Sequence, residues 1–417
     1  MVVSLTLDKL STELILKICT YLDIEDLCQL KKVCRRFNEI ICFWDNVLCK
    51  NVHLAVVTNQ LDEVFGLKCY RRLSNIEKLR ISNNWIKGKY FEKAFLSTRK
   101  RFIPYLQITN KFLWISRGET IFCYKRLQST LHVRTPYATL QGKKNIDIVN
   151  FQIKNNVLVS GFRDGGISVV KLSNQSCVLK SQSCHHSDIN SVDVSQYGCT
   201  VVSGTRENEF KVWNIAQNDS EEVLKQRYCV LLPDLIWKVA LSEKNDSKVA
   251  IATAGNIYRN SLFIYDLNRM DTRDELEFDH NTIRGIFDAR WDGYDTLWTV
   301  GFDAYLRRWD LRTLKCVKAY LDPCGSSLYC LDLDHHNTIL TGAQLHGRVT
   351  LWDYRTGHAL QMYYMDSCKN QRYNKSSPVY SLAFDADHLY TVTDQNLNHL
   401  DFSVYNATPK DYSFFLD

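Results

Sequence analysis

One pattern, restated along most of the chain, restricts the fold more than any composition figure. Residues 296–311 read TLWTVGFDAYLRRWDL: a β-prone run, a tight turn at Gly301-Phe302-Asp303-Ala304, a second β-prone run and a terminal Trp309-Asp310. Residues 157–172 (VLVSGFRDGGISVVKL), 200–215 (TVVSGTRENEFKVWNI) and 338–354 (TILTGAQLHGRVTLWDY) repeat that shape, and residues 249–267 and 389–402 are looser copies. A unit of about four strands that recurs every ~40–45 residues cannot bury both its faces alone, so its neighbours must stack on it. Closing such a stack into a ring removes exposed sheet edges.

These units resemble WD repeats, and the resemblance implies a mainly β chain dominated by a seven-bladed WD-repeat β-propeller. Six innermost strands share an apolar-x-x-apolar signature: Ile148-Val149-Asn150-Phe151, Ile189-Asn190-Ser191-Val192, Ile236-Trp237-Lys238-Val239, Ile283-Arg284-Gly285-Ile286, Leu328-Tyr329-Cys330-Leu331 and Val379-Tyr380-Ser381-Leu382. A further blade is expected from residues 104–140. The last blade, from Val379, lacks an outer strand in its own sequence. Residues 89–96 (KYFEKAFL) alternate well enough to supply it, with the tail at 412–416 as the competing candidate.

Composition narrows the class. With 45% hydrophobic and 24% charged residues, the 417-residue chain reads as an ordinary globular protein. No run reaches the ~18 apolar residues of a membrane span, and no secretory signal is evident at the N-terminus. The 15 cysteines are scattered and never in CxxC spacing, which fits buried thiols in a reducing compartment, cytoplasmic and/or nuclear.

Ahead of the repeats, residues 10–51 carry a helical pattern. Ser11 can cap a first helix, Asp23 a second, short one, and a third is expected from about Leu30 to Ile41. The first helix is apolar at Leu14, Ile15, Leu16, Ile18, Cys19 and Leu22, wider than the ~100° stripe a surface helix buries. About forty residues cannot cover that width, so a protein partner is implied. The order L-x-x-E-L-x-x-x-I, Y-L-D-x-x-D-L, V-C-R-x-F and F-W resembles an F-box. The matching residues are Leu10, Glu13, Leu14, Ile18, Leu22, Asp26, Leu27, Val33, Cys34, Arg35, Phe37 and Trp44. Ser11 stands where F-boxes usually carry a proline. The resemblance implies docking on the Skp adaptor of cullin-RING ubiquitin ligases through Leu10, Glu13, Leu14, Ile18, Leu22, Leu27, Val33, Cys34, Phe37 and Trp44. The cullin and RING subunit would be reached through the adaptor.

The connector, residues 52–102, places Val56, Leu61, Val64, Phe65 and Leu67 at a spacing for a helix against the F-box. Residues 68–101 then hold eleven Lys and Arg against two Glu, in a chain of net charge +6. With Trp85, Tyr90 and Phe91 interleaved, such a block is compatible with nucleic acid. A solvated linker with its aromatics on the first blade is the favoured reading, because no nucleic-acid motif accompanies the charge. The organisation expected is therefore F-box 1–51, helical and basic connector 52–102, propeller 103–405 and tail 406–417.

Catalytic chemistry finds little support. His280, Thr299, Asp303 and Trp309 form a set like the polar network of WD repeats, with counterparts in His185, Ser203, Trp213 and Glu207, and in Ser160 with Asp164. Spacing that repeats with the blades points to structure, and no G-x-S-x-G elbow is present. Neither zinc-spaced Cys/His sets nor a phosphate or dinucleotide loop occurs, so no metal or cofactor is expected.

Recognition remains. The first x of apolar-x-x-apolar lies at the mouth of a propeller's channel, giving Val149, Asn190, Trp237, Arg284, Tyr329 and Tyr380, with Arg163 and Arg206 in adjacent turns. Trp237, Arg284, Tyr329, Tyr380, Arg163 and Arg206 have the composition of a binding hot spot. In related F-box/WD-repeat receptors, arginines at positions similar to Arg163, Arg206 and Arg284 grip a phosphorylated target. Residues 82–85 (SNNW), 306–313 (LRRWDLRT) and 377–382 (SPVYSL) extend the likeness to that family over nearly the whole chain. It implies a non-catalytic receptor that presents a protein, phosphorylated or not, for ubiquitination. The alternative is a WD-repeat scaffold without ubiquitin transfer.

Overall fold

The structure, a computed structural model, describes residues 6–97, 103–127, 130–172, 177–218, 221–244, 247–256, 261–269, 273–275, 285–365 and 377–413. Seven sheets follow one another along the chain as the blades of a propeller: blade 1 at 106–141, blade 2 at 148–183, blade 3 at 189–231, blade 4 at 236–275, blade 5 at 286–321, blade 6 at 328–364 and blade 7 at 381–401, with the short strand Cys177–Val178 pairing back onto blade 1. Blade 7 has three strands of its own, and its fourth comes from the N-terminal side: Phe91–Ser97 pairs antiparallel with Asn396–Asp401, Phe91 opposite Asp401 and Ser97 opposite Asn396. Tyr412 lies instead against blade 6, its ring 4.8 Å from Tyr364.

A glycine explains how tightly the blades stack. At the end of the second strand of blades 2, 3 and 6 the repeat carries Gly161, Gly204 and Gly342. A Cβ at Gly204 would stand 2.5 Å from Ile236 and 3.0 Å from Val239 of the next blade, and one at Gly161 would stand 2.7 Å from Ile189. The inner strand of each following blade therefore packs directly on backbone. Sequential apolar clusters, such as Val202, Phe210, Ile236, Val239 and Phe263 between blades 3 and 4, fill the remaining space.

Among the described residues, six α-helices precede or flank this ring. α1 (Thr12–Cys19), α2 (Ile24–Val33), α3 (Arg35–Phe43) and α4 (Asp45–Leu48) make a bundle around Ile15, Cys19, Leu27, Phe37, Ile40 and Ile41. Asp23 caps α2 by accepting from the Asp26 N–H at 2.8 Å. Two expectations are corrected here: α2 runs ten residues rather than being a short helix, and α3 starts at Arg35 rather than about Leu30, because extended Cys34 interrupts the helical run.

The connector contributes α5 (Glu63–Lys68) and α6 (Asn75–Ile86). Contrary to the expected contact with the F-box, Val56, Val57 and Phe65 pack on Leu340, Leu382 and Phe384 of blades 6 and 7. It is α6 that touches both bodies. Ile76 enters the bundle core, whereas Ile81 and Trp85 enter the core of blades 6 and 7. The aromatics of the basic block also sit elsewhere than expected. Trp85 and Tyr90 are buried against blades 6 and 7, not blade 1, with Trp85 stacked on Phe402 at 3.6 Å. Much of the block's charge is likewise engaged: Lys68 with Asp332 at 2.8 Å, Arg71 with Glu77 at 2.7 Å and Lys89 with Glu25 at 2.8 Å.

Candidate functional site

Two surfaces carry the residues singled out from sequence: the outer face of the bundle and the rim of the propeller. On the bundle, Glu13, Leu14, Val33 and Trp44 are exposed, and Leu10, Ile18, Leu22 and Cys34 are half-buried. Leu27 and Phe37, expected among the adaptor contacts, point inward instead; at 2% and 3% exposure they are core of the bundle itself. Two exposed aromatics of the matched pattern were not among the expected adaptor contacts, Tyr21 at 81% and Phe43 at 80%. Arg36 ties the N-terminal turn to this bundle, donating to the carbonyl oxygens of Asp8 and Leu10.

The rim needs one correction of register. Inner strands begin with matched pairs and an early bulge: Ile148 opposite Phe162, Ile189 opposite Thr205, Ile236 opposite Thr253 and Leu328 opposite Ala343. In blade 5 the matching pair is Ile286 opposite Gly301, three residues later than the sequence pattern suggested. The backbone pairing fixes the register: Phe302 N–H donates to the Gly285 carbonyl at 2.9 Å, as Arg163 does to Asp147 and Arg206 to Asp188, so Ile286 takes the place that Ile148 and Ile189 hold in blades 2 and 3. Phe287, not Arg284, thus takes the rim position of blade 5, and Arg284 falls outside the described residues.

With that shift, Trp237, Phe287, Tyr329 and Tyr380 form an unbroken arc over blades 4 to 7. Consecutive ring centroids are 5.5, 5.1 and 6.0 Å apart. Phe302, in the turn position that Arg163 and Arg206 hold in blades 2 and 3, lies 6.3 Å from Phe287. The opposite side of the rim is charged. Arg163 stands 3.8 Å from both Asp147 and Asp188, Arg206 is exposed, and Asn190 donates to the Ile236 carbonyl at 2.8 Å.

Inside the ring, a cavity of about 550 Å³ is lined by Tyr105, Gln107, Lys154, Asp193, Lys238 and Arg290 among others. Its cations are matched by carboxylates: Lys238 with Asp288 at 2.9 Å, Lys154 with Asp193 at 3.0 Å, and the connector's Lys68 with Asp332 at its edge.

The recurring polar sets hold the blades in register. His185 Nε2 lies 2.7 Å from Ser203 Oγ, which accepts from Trp213 Nε1–H at 2.8 Å. Glu209, not the expected Glu207, engages His185 Nδ1. Burial then drives the His185 pKa down despite that carboxylate. Trp309 donates to Thr299 at 2.8 Å and Trp352 to Thr341 at 2.9 Å, while His280 lies outside the described residues. Ser160 is buried, and Asp164 accepts from the Gly166 N–H at 3.1 Å. Ser203 is fully buried, so no substrate reaches it.

Asp385, Asp387 and His388, buried in blade 7, are the one group of ligand-type side chains among the described residues close enough to share an ion. A cation already occupies the place: the Arg126 guanidinium pairs with Asp385, whose other oxygen accepts from the Asp387 and His388 N–H groups. Burial disfavours the charged Asp385, and Arg126 with His388 overrides it, holding this carboxyl well below the usual range. The set is an internal ion cluster.

Comparison with known proteins agrees with both bodies. Residues 9–50 match the family model described as F-box-like. F-box/WD repeat-containing protein 4 of Mus musculus is 31% identical over 400 residues, 94% of this chain and 93% of that protein. The chain belongs to the F-box/WD repeat-containing protein 4 family. The Homo sapiens member is also 31% identical, over 94% of this chain and 92% of its own length. In fold, the chain is similar to the C-terminal WD40 domain of Sif2, with a TM-score of 0.53 at 13% identity over 75% of this chain and 98% of that one. Residues 82–85, SNNW, have a structural task. Ser82 Oγ accepts from the Val56 N–H at 2.9 Å, Asn84 donates to the Phe402 carbonyl at 2.8 Å, and Trp85 stacks on Phe402. No helix among the described residues is long and apolar enough to cross a membrane.

Proposed function

We propose that this chain is the substrate-recognition subunit of a Skp–cullin–F-box ubiquitin ligase. Its bundle docks the Skp adaptor, and its propeller rim holds a protein for ubiquitination. The observation that carries the reading is α6, one helix with Ile76 in the bundle core and Trp85 in the propeller core. Arg80 adds to the same joint, donating to the Val404 carbonyl at 2.8 Å and lying over the Tyr405 ring, to which Lys32 of the bundle also comes. A target on the rim then sits at a fixed distance from whatever the bundle engages. Fixed distance is what such a receptor supplies, because tethering raises the effective concentration of the target's lysines at the charged conjugating enzyme. F-box/WD proteins are generally non-catalytic adaptors, and the chemistry of transfer belongs to the partners.

Reconstitution with purified Skp adaptor, cullin and RING subunit tests this. Wild type should recover all three, and Leu14→Asp with Ile18→Asp should recover none while its propeller melts as in wild type. Adaptor binding without cullin recovery would instead establish a scaffold. Nucleic-acid binding through residues 68–101 predicts steeply salt-dependent oligonucleotide affinity; the burial of Trp85 and Tyr90 removes two of the three rings on which bases would stack.

A further inference from the structure

The two sides of the rim differ in a way that specifies the chemistry of the target. Over blades 4 to 7 the rim offers rings: Trp237, 38% exposed, then Phe287, Tyr329 and Tyr380, with Phe302 and Leu345 in adjacent turns. Charge in the turns of blades 4 to 6 is spent internally. Asp303 pairs with Arg307 at 2.6 Å and Asp322 with Arg348 at 2.6 Å, both pairs largely or wholly buried, and buried Asp234 accepts from the N–H groups of Leu235 and Asn256. On the other side, Arg163 lies between Asp147 and Asp188, and Lys143 reaches Asp164 at 3.2 Å.

A phosphate needs a cation whose donors are free to grip it, ordinarily a bidentate arginine. Among the described residues of blades 4 to 7 the arc presents none, and Arg284, the arginine expected in its middle, is replaced there by Phe287. A dianion set against these rings would lose its water and gain no counter-charge. An apolar side chain gains on both counts, because the edge-to-face arrangement leaves ring faces and edges to cover it. We propose that the arc from Trp237 to Tyr380 is the target-binding site and that it takes an uncharged peptide segment presenting an aromatic or long aliphatic side chain, not a phosphorylated one. This rests on the receptor reading above, and it specifies the class of target.

The test uses the full chain in complex with the Skp adaptor and two positional-scanning libraries of synthetic peptides, one unmodified and one with phosphoserine and phosphothreonine fixed at the centre. The unmodified library should select Trp, Phe, Leu or Met at one position. Selected peptides should bind the Trp237→Ala, Phe287→Ala variant about tenfold or more weakly, and Arg163→Ala within about twofold of wild type. If the double variant melts below wild type, the exposed single change Trp237→Ser reads the same loss. Selection of phosphopeptides that depend on Arg163 or Arg206 overturns the proposal, as does apolar-peptide binding that ignores Trp237 and Phe287. Fusing a selected peptide to a lysine-bearing carrier separates the two readings. A carrier that binds the arc but is not ubiquitinated by the reconstituted ligase sinks the receptor and spares the arc. A phosphorylated carrier that is ubiquitinated does the reverse.

Discussion

The bundle and the propeller meet the same problem, apolar surface facing water, with different geometry. In a strand the side chains alternate between two faces, and in the ring each face of a blade has a neighbouring blade to cover it; in blade 3 Val192, Val194 and Val201 cluster with blade 2 and Val202 with blade 4, all fully buried. In the bundle, helices of four to ten residues carry apolar side chains around more of their circumference than three neighbours can cover. Leu14, Tyr21, Val33 and Phe43 remain at least half exposed while Ile15, Cys19, Leu27 and Phe37 fill the centre. The ring completes itself by borrowing one strand. The bundle stays incomplete, and α6 is where the two conditions meet.

The sharpest way to break that contrast is at α6. Trp85 is fully buried, stacks on Phe402, and donates to the Ala386 carbonyl at 3.2 Å. Trp85→Ala should cost about 3–5 kcal/mol, read as a lowered denaturation midpoint, and should loosen the bundle, seen as faster amide exchange in α1 to α3. A loss confined to the ring would show that the bundle does not depend on the joint.

Next in size is the ion cluster of blade 7. Arg126 and Asp385 are 1% and 0% exposed, and Arg126 also donates to the carbonyls of Lys68 and Thr109. Arg126→Met strips buried Asp385 of its guanidinium and leaves only His388 and two backbone N–H groups to hold the charge, at a cost of about 3–5 kcal/mol. Adding Asp385→Leu should restore much of it. A double variant no more stable than the single one would mean that the carbonyl contacts matter more than the ion pair.

A smaller effect should appear with pH. Burial disfavours protonated His388, but Tyr390, Asp385 and Asp387 around it outweigh burial and raise its pKa well above the ordinary value; Asp387 Oδ1 lies 2.7 Å from Nδ1 and Asp401 3.8 Å from Nε2. A histidine raised in this way contributes stability that is complete below its unfolded pKa of about 6.5 and fades as pH rises through the folded value, by ~1.4 kcal/mol per unit of separation. Asp385 acts in the opposite sense, its contribution present above about 3.9 and lost as pH falls. Unfolding followed from pH 6 to 9 should therefore show wild type losing more stability than His388→Gln. Parallel curves would place His388 in the neutral form throughout.

How much of this was readable in the chain differs between the two bodies for the same geometric reason. Two-residue alternation and the recurring Trp-Asp made the blades plain, and the unpaired edge of blade 7 pointed to residues 89–96, near the strand Phe91–Ser97 that occupies it. Blade 5 misled because Ile283 and Ile286 both fit apolar-x-x-apolar; only the pairing of Ile286 with Gly301, and of the Gly285 carbonyl with the Phe302 N–H, decides between them, and those contacts join segments far apart in sequence. In the bundle, motif matching identified positions but not directions, so inward Leu27 and Phe37 were grouped with outward Leu14 and Val33. Direction depends on where neighbouring helices lie, which no spacing along one helix encodes. The connector was hardest: Val56 and Phe65 are apolar in the right places, yet which body they cover is settled by the path of the chain.

The smallest expected change in stability is the most informative about the bundle. Leu14 is 51% exposed on α1, one residue before Ile15 at 2%. Alanine at position 14 removes side chain that mostly faces water, so unfolding should shift by no more than about 0.5 kcal/mol. Alanine at Phe37 empties a core site and should cost about 3–5 kcal/mol. Affinity for the Skp adaptor should rank differently. Leu14→Ala weakens binding directly, with the bundle intact, whereas Phe37→Ala weakens it only as far as the bundle unfolds, and osmolyte that restores the fold restores the binding. Titration of both variants, with and without the osmolyte, separates contact from scaffold at single residues. Equal rescue of the two would mean that the exposed face of α1 is not where the adaptor sits.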